Sequence, residues 1–130
     1  MNQGRLSIEF RGRTKTFASA SIRLFIKLPK GREEVRVLGR QLLRSGTSVA
    51  AHVREASRAR SDAEFCSKLE GALQEIDESQ LWLELLRDDC GIQEEPLETL
   101  HREAGELISI VVTMVNRTKE KQKAISKNQK

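Results

Sequence analysis

Arg32, Arg36, Arg40 and Arg44 recur at four-residue steps, and Arg54 and Arg58 repeat the step further on. Side chains four apart lie one above another on a helix, so the first four form a stripe. A guanidinium is planar, permanently charged and presents paired N–H donors, a geometry that suits phosphate oxygens. The chemistry open to such a stripe is electrostatic binding of a nucleic-acid backbone, salt-dependent and loosely sequence-selective. The same stripe can instead pair with carboxylates on neighbouring helices of its own subunit, and residue types alone do not separate the two. Five aromatic residues in all leave little for base stacking on single strands.

Residues for catalysis are scarce. His52 and His101 are the only histidines, and neither sits in a metal-binding motif. Di-iron bundles need Glu-x-x-His on two helices, whereas Glu98-x-x-His101 occurs once, as expected of a solvated helical face. Cys66 and Cys90 lie 24 residues apart without Cys-x-x-Cys spacing, so they read as small, free, apolar side chains. There is no glycine-rich phosphate loop. The expectation is a protein that is not an enzyme, with no cofactor and no metal.

The net charge of +4 conceals larger blocks of opposite sign. Residues 16–60 carry ten basic and three acidic side chains, residues 61–106 three basic and fourteen acidic, and residues 107–130 six basic and one acidic. Blocks of this kind either pair within a bundle or leave a basic face for an anionic partner. At 130 residues the chain is one domain in size, and the absence of Tyr with only two Pro favours helices over sheet. No apolar run approaches the roughly 20 residues of a membrane span. Met1 to Arg5 lead into no apolar stretch, so no secretory signal is expected and the cytoplasm is the expected location.

Four segments can position the arginines. Residues 1–15 hold two glycines and no helical period, which predicts an extended basic arm. A helix is predicted over 16–28, where Phe17, Ala20, Leu24, Phe25 and Leu28 form one stripe while Ile22 and Ile26 lie off it. A helix apolar on several sides needs more than one cover. The group Phe17, Ile22 and Ile26 therefore marks an expected contact with a second copy of the chain.

A second helix is predicted over 33–59, with Val35, Leu42, Val49 and Ala56 at heptad spacing and Leu38, Ser45 and His52 offset by three. Its Gly39, Gly46, Ala50 and Ala51 permit close helix contact. A third helix over 62–89 opens with Ser61-Asp62-Ala63-Glu64, the spacing of a capping box. A fourth over 96–118 follows Gly91 and Pro96. The expected fold is all-α, an antiparallel up-down four-helix bundle over residues 16–117. Thr118 to Lys130, with five Lys, is expected to be a flexible tail in which Lys119, Lys121 and Lys123 assist binding.

The block Val37-Leu38-Gly39-Arg40-Gln41-Leu42-Leu43-Arg44-Ser45-Gly46-Thr47-Ser48-Val49-Ala50-Ala51 resembles the central signature of the bacterial four-helix bundle family, also called the 23S ribosomal RNA intervening-sequence protein family. Arg54-Glu55-Ala56, Asp62-Ala63-Glu64-Phe65, Lys68-Leu69, Glu75, Glu78 and Trp82-Leu83-Glu84-Leu85-Leu86 continue the likeness, which covers about residues 16–117. The resemblance implies a ring-shaped homo-oligomer, a homopentamer, and brings no catalytic residues. It also implies a relation to the accessory variability determinant of diversity-generating retroelements, a basic pentamer that binds nucleic acid and a reverse transcriptase. The expected partners are thus a second copy of the chain, RNA or DNA backbone, and a reverse transcriptase. The competing expectation is a homo-oligomeric scaffold with protein contacts only.

Overall fold

The computed structural model describes residues 4–128. Four helices follow one another: α1 (Ile8–Lys27), α2 (Glu33–Ser57), α3 (Asp62–Asp88) and α4 (Glu95–Asn128), with no strand among the described residues. Each helix packs on its sequence neighbours, and α1 also meets α4, which closes a four-helix bundle. The α2–α3 contact is the most extensive and the α1–α4 contact the thinnest.

Helix α1 begins at Ile8, inside the segment expected to be an extended arm. The Ser7 hydroxyl caps it, accepting from the Phe10 amide at 3.1 Å. The buried stripe runs Phe10, Thr14, Phe17, Ser21 and Leu24, so two of its members are polar. Thr14 and Ser21 hide the period from a hydrophobicity reading. Each satisfies its hydroxyl within the helix, Thr14 donating to the Arg11 carbonyl at 3.0 Å and Ser21 to that of Phe17 at 2.9 Å. Gly12, the other feature that argued for an arm, has nothing around its Cα and only weakens helix propensity. The arm is therefore corrected to one turn of strap before a helix; residues 1–3 lie outside the described residues.

On α2 most of the expected seam is present, with Val35, Leu42, Ser45, Val49 and Ala56 buried and Val53 beside them, while Leu38 and His52 are only half-buried. Two of its small residues set the distance to α1. A Cβ on Gly39 would stand 2.8 Å from Leu28 Cδ1, and one on Gly46 would stand 2.2 Å from Ser21 Oγ. Ala50 and Ala51 instead face a surface cleft. Across to α3, Ser45 Oγ and Ser79 Oγ lie 2.7 Å apart and Ser79 Oγ is 2.8 Å from the Glu75 carbonyl. Ser45 Oγ also lies 3.3 Å from the Leu42 carbonyl. The two shorter contacts are both made when Ser79 donates to the Glu75 carbonyl while accepting from Ser45, which satisfies a buried polar pair without charge.

Helix α3 is capped by Ser61, whose hydroxyl accepts from the Glu64 amide at 3.0 Å, while Glu64 Oε1 accepts from the Arg60 amide at 3.3 Å. It ends at Asp88, and the chain turns away at Gly91, which takes φ +71°, a conformation that only glycine adopts without strain. Helix α4 continues to Asn128, past the expected boundary at 118. Lys, Glu, Gln and Ala are good helix formers, so the run extends although its residues after Thr118 are exposed. Lys119 Nζ reaches Glu70 at 3.4 Å and Gln122 donates to Asp62, which ties the first turn of this extension down. Residues 129 and 130 of the expected tail lie outside the described residues.

Of the three residues expected at a subunit contact, Phe17 is only 1% exposed and belongs to the subunit's own core. Ile22 and Ile26 are 42% and 62% exposed on the outer side of α1.

Two glycine substitutions test the packing. Gly12→Ala should stabilise the fold by about 0.5–1 kcal/mol, the helix-propensity gain at an open site. Gly46→Ala should destabilise it by about 1–3 kcal/mol because the new methyl overlaps Ser21. Urea unfolding of both variants gives the two signs, and equal signs would mean that α1 and α2 lie further apart than described.

Candidate nucleic-acid interface

The arginine stripe stands on the exposed side of α2, because the opposite arc is filled by the seam residues. Its members are used unequally. Arg32 donates from Nη1 to the Cys90 carbonyl at 2.9 Å and from Nη2 to Glu34 at 3.2 Å, so it fastens the α3–α4 turn to the start of α2. Arg36 donates to Glu33 within its own turn. Arg44 bridges to α3, with Nη1 3.5 Å from Glu75 and Nη2 3.2 Å from Glu78. Arg40 has no carboxylate partner among the described residues. Three of the four expected phosphate ligands are thus held by acidic groups or a carbonyl. These pairs remain partly exposed, and surface ion pairs of this kind are weak and exchange partners.

Arg54 and Arg58 fare differently. They are exposed at the last turn of α2 and have no ion pair among the described residues. With Arg5 and Arg11 they line a cleft of about 570 Å³ against Gly4, Ser57 and Ala59. Arg5 and Arg11 were absent from the expected site because the segment carrying them gives no sign of where it lies. The structure shows the reason for its placement. Gly4 takes φ +77°, and a Cβ there would stand 2.4 Å from the Ser57 carbonyl oxygen. The next amides then donate to Ser57, Arg5 to its carbonyl at 2.8 Å and Leu6 to its hydroxyl at 3.3 Å.

Arg5 itself is immobilised by three groups. Its Nε donates to the Ala59 carbonyl at 3.0 Å, its Nη1 to Asp62 Oδ1 at 2.6 Å, and its guanidinium carbon lies 5.6 Å from the Phe65 ring centre. Hydrogen bonds from Arg5 and Gln122 hold the Asp62 carboxyl below its ordinary value, against a smaller opposing effect of burial.

Of the expected tail ligands, Lys119 pairs with Glu70, while Lys121 and Lys123 are exposed. Elsewhere on α1, Arg13 donates to Glu103 at 2.7 and 2.8 Å and to Glu106 at 2.8 Å, a fork on α4 that raises its pKa.

The histidines and cysteines are dispersed. His52 Nδ1 lies 2.9 Å from the Ser48 carbonyl, so that nitrogen carries the proton and donates, and the ring rests against Gly71. His101 pairs with Glu84 at 2.9 Å, whereas Glu98 lies 3.8 Å from Arg87, so the Glu98-x-x-His101 pair does not converge on one point. Cys66 and Cys90 are buried free thiols, and burial pushes the Cys66 thiol up. Among the described residues no group of His, Cys, Asp and Glu could hold a metal ion, and no helix is long and apolar enough to cross a membrane.

A family model described as 23S rRNA-intervening sequence protein matches residues 8–113. The chain belongs to this family. A solved structure is also similar, described as a protein with unknown function from the S23 ribosomal protein family of Bacteroides thetaiotaomicron VPI-5482. It shares 33% sequence identity, covers 81% of this chain and 96% of that chain, and superposes with a TM-score of 0.73. No curated protein matches the chain. The family match begins with the first residue of α1 and so includes Arg11, Arg54 and Arg58 but not the strap that carries Arg5.

The Asp62 contact gives a pH signature. A carboxyl whose folded pKa lies below its ordinary value of 3.8 contributes stability above that value and loses it as pH falls through the depressed one. Asp62→Asn should therefore lower the urea midpoint near neutral pH, and the gap to the parent should close as pH falls below 3.8. A gap that persists unchanged in acid would show that the Asp62 charge does not hold the strap.

Proposed function

We propose that the protein is a non-catalytic, homo-oligomeric accessory protein of the cytoplasm that binds RNA or DNA through backbone phosphates. The observation that carries this reading is that Arg40, Arg54 and Arg58 stand exposed on α2 with no acidic partner among the described residues. An acidic third helix one contact away pairs with Arg44 yet leaves these three alone. The family's description, which refers to a 23S rRNA intervening sequence, supports RNA as the natural anion.

In this reading the bundle is up-down and antiparallel. Cross-helix pairs support it, since numbering rises on one helix as it falls on the next: Arg44 with Glu78 and Lys68 with Glu55, then Glu70 with Lys119 and Arg87 with Glu98. Ile22 and Ile26 supply the apolar outer face for ring assembly. The pentamer number and a reverse-transcriptase partner follow the family likeness. A ring repeats each subunit's basic face, so weak contacts combine by avidity.

Two measurements test the reading. Fluorescence anisotropy of a labelled RNA should show log affinity falling linearly with log salt. The triple variant Arg40→Gln, Arg54→Gln and Arg58→Gln should bind more weakly with a shallower slope, while Arg36→Gln and Arg44→Gln together should have a smaller effect. If the first variant stays folded and binds as the parent does, the scaffold reading replaces this one. Light scattering should report an oligomer that Ile22→Glu with Ile26→Glu dissociates, and a parent mass near 14.7 kDa would remove the ring.

A further inference from the structure

We propose that the cleft formed by the N-terminal strap and the end of α2 is a built seat for one phosphate group of a nucleic-acid backbone, with Arg11, Arg54 and Arg58 as its ligands and Arg5 as its wall. This deepens the preceding reading and rests on it for the identity of the ligand.

Four guanidinium groups line the cleft and no carboxylate does. Like charges gathered in one concavity repel one another, and an anion among them removes that cost. Glu9, in the first turn of α1, is exposed and does not line the cleft, and the acidic side chains next to the end of α2 are already occupied. Asp62 accepts from Arg5 and Gln122, Glu55 lies 3.4 Å from Lys68, and Glu64 accepts from the Arg60 amide.

A competing account is that arginines collect here only to neutralise the negative end of α2, where free carbonyls attract cations. The strap and the chain after α2 already do that. The Ser57 carbonyl accepts the Arg5 amide at 2.8 Å, the Ala59 carbonyl accepts Arg5 Nε at 3.0 Å, and the Ala56 carbonyl accepts the Ala59 amide at 3.1 Å. With those acceptors covered, Arg54 and Arg58 are in surplus of what the helix end requires. The same covering matters for the ligand, since bare carbonyls would repel an anion at this place.

Arg11 supplies the independent observation. Its Nε–H is buried and has no acceptor among the described residues. A buried donor left unpaired is costly; a turn of the Arg11 guanidinium toward a phosphate oxygen in the cleft it lines would bring that N–H out to a partner and remove the cost. Arg54 and Arg58, one helical turn apart, then approach the same group from α2 while Arg11 approaches from α1. At about 570 Å³ the cleft admits a phosphate together with part of its sugar.

The test uses the full oligomeric chain with two double variants, Arg11→Gln/Arg58→Gln and Arg54→Gln/Arg58→Gln, and Arg40→Gln as a control outside the cleft. Urea unfolding and light scattering certify that each is folded and assembled, and the second double variant, confined to exposed residues, serves if Arg11→Gln unfolds the chain. Binding of a labelled single-stranded RNA should weaken by about tenfold or more in either double variant, the loss expected for charge-assisted hydrogen bonds. The salt slope should become shallower by about 1.4, the value for two lost contacts on a single strand. Arg40→Gln should change the affinity less than either double variant. If the parent binds RNA and the folded double variants bind as tightly, the seat is overturned while the nucleic-acid reading stands. If the parent binds no RNA, inorganic phosphate titrated calorimetrically decides the rest. Heat lost in the double variants would keep an anion seat and discard the nucleic-acid reading, and no phosphate binding by the parent would overturn both.

Discussion

Helices α1 and α2 approach so closely that Gly39 and Gly46 have no room for a methyl group, and the remaining architecture is arranged around that contact. With small residues toward α1 and Val35, Leu42, Val49 and Val53 in the core, the inner arc of α2 is fully occupied. Four arginines on the same helix, with Arg32 and Arg58 at its two caps, have only the outer arc left. The basic surface is in this sense a by-product of tight packing: a helix that buries one side against two neighbours must present its charges on the other.

What becomes of those charges depends on distance to the acidic half of the chain. Helix α3 lies against α2 and supplies Glu75 and Glu78 to Arg44, and α4 supplies Glu103 and Glu106 to Arg13. Neutralisation is therefore local, reaching arginines that face an acidic helix or stand beside Glu33 and Glu34 at the start of α2. At the far end of α2 the neighbours are the strap and the first turn of α1, which bring Arg5 and Arg11 and no carboxylate to the cleft. Internally paired arginines and arginines without an acidic partner among the described residues thus occur at different points along one helix and its cap.

Sequence periodicity located α2 and α3 to within two residues at each end, because their buried residues are apolar or small and recur in register. It misplaced the start of α1 by eight residues, since Thr14 and Ser21 occupy core positions and Gly12 imitates a linker. A hydroxyl that returns its proton to the preceding turn packs like a methyl group but reads as polar. It also ended α4 early, where helix-forming residues continue without a core to mark them. At the site, Arg54 and Arg58 were visible from spacing. Arg5 and Arg11 were not, because their meeting with α2 depends on a left-handed glycine and on two strap amides donating to the carbonyl and hydroxyl of Ser57, more than fifty residues along the chain. Among the expected subunit contacts, Phe17 failed because a large aromatic beside a glycine-lined groove is drawn into its own core.

The thin α1–α4 contact described above makes the bundle a series of helix pairs closed by a latch, with the Arg13 fork on Glu103 and Glu106 as its main polar fastening. Regions with few buried contacts open at lower free energy than the rest of a domain. Opening at this seam leaves the α2–α3 pair intact and frees the side of α1 that its partner on α4 covers. Amide protons along α1 and α4 facing the latch then exchange with solvent sooner than those at the α2–α3 seam. The molecule thus has a soft edge and a stiff edge, and the arginine-bearing helix belongs to the stiff one.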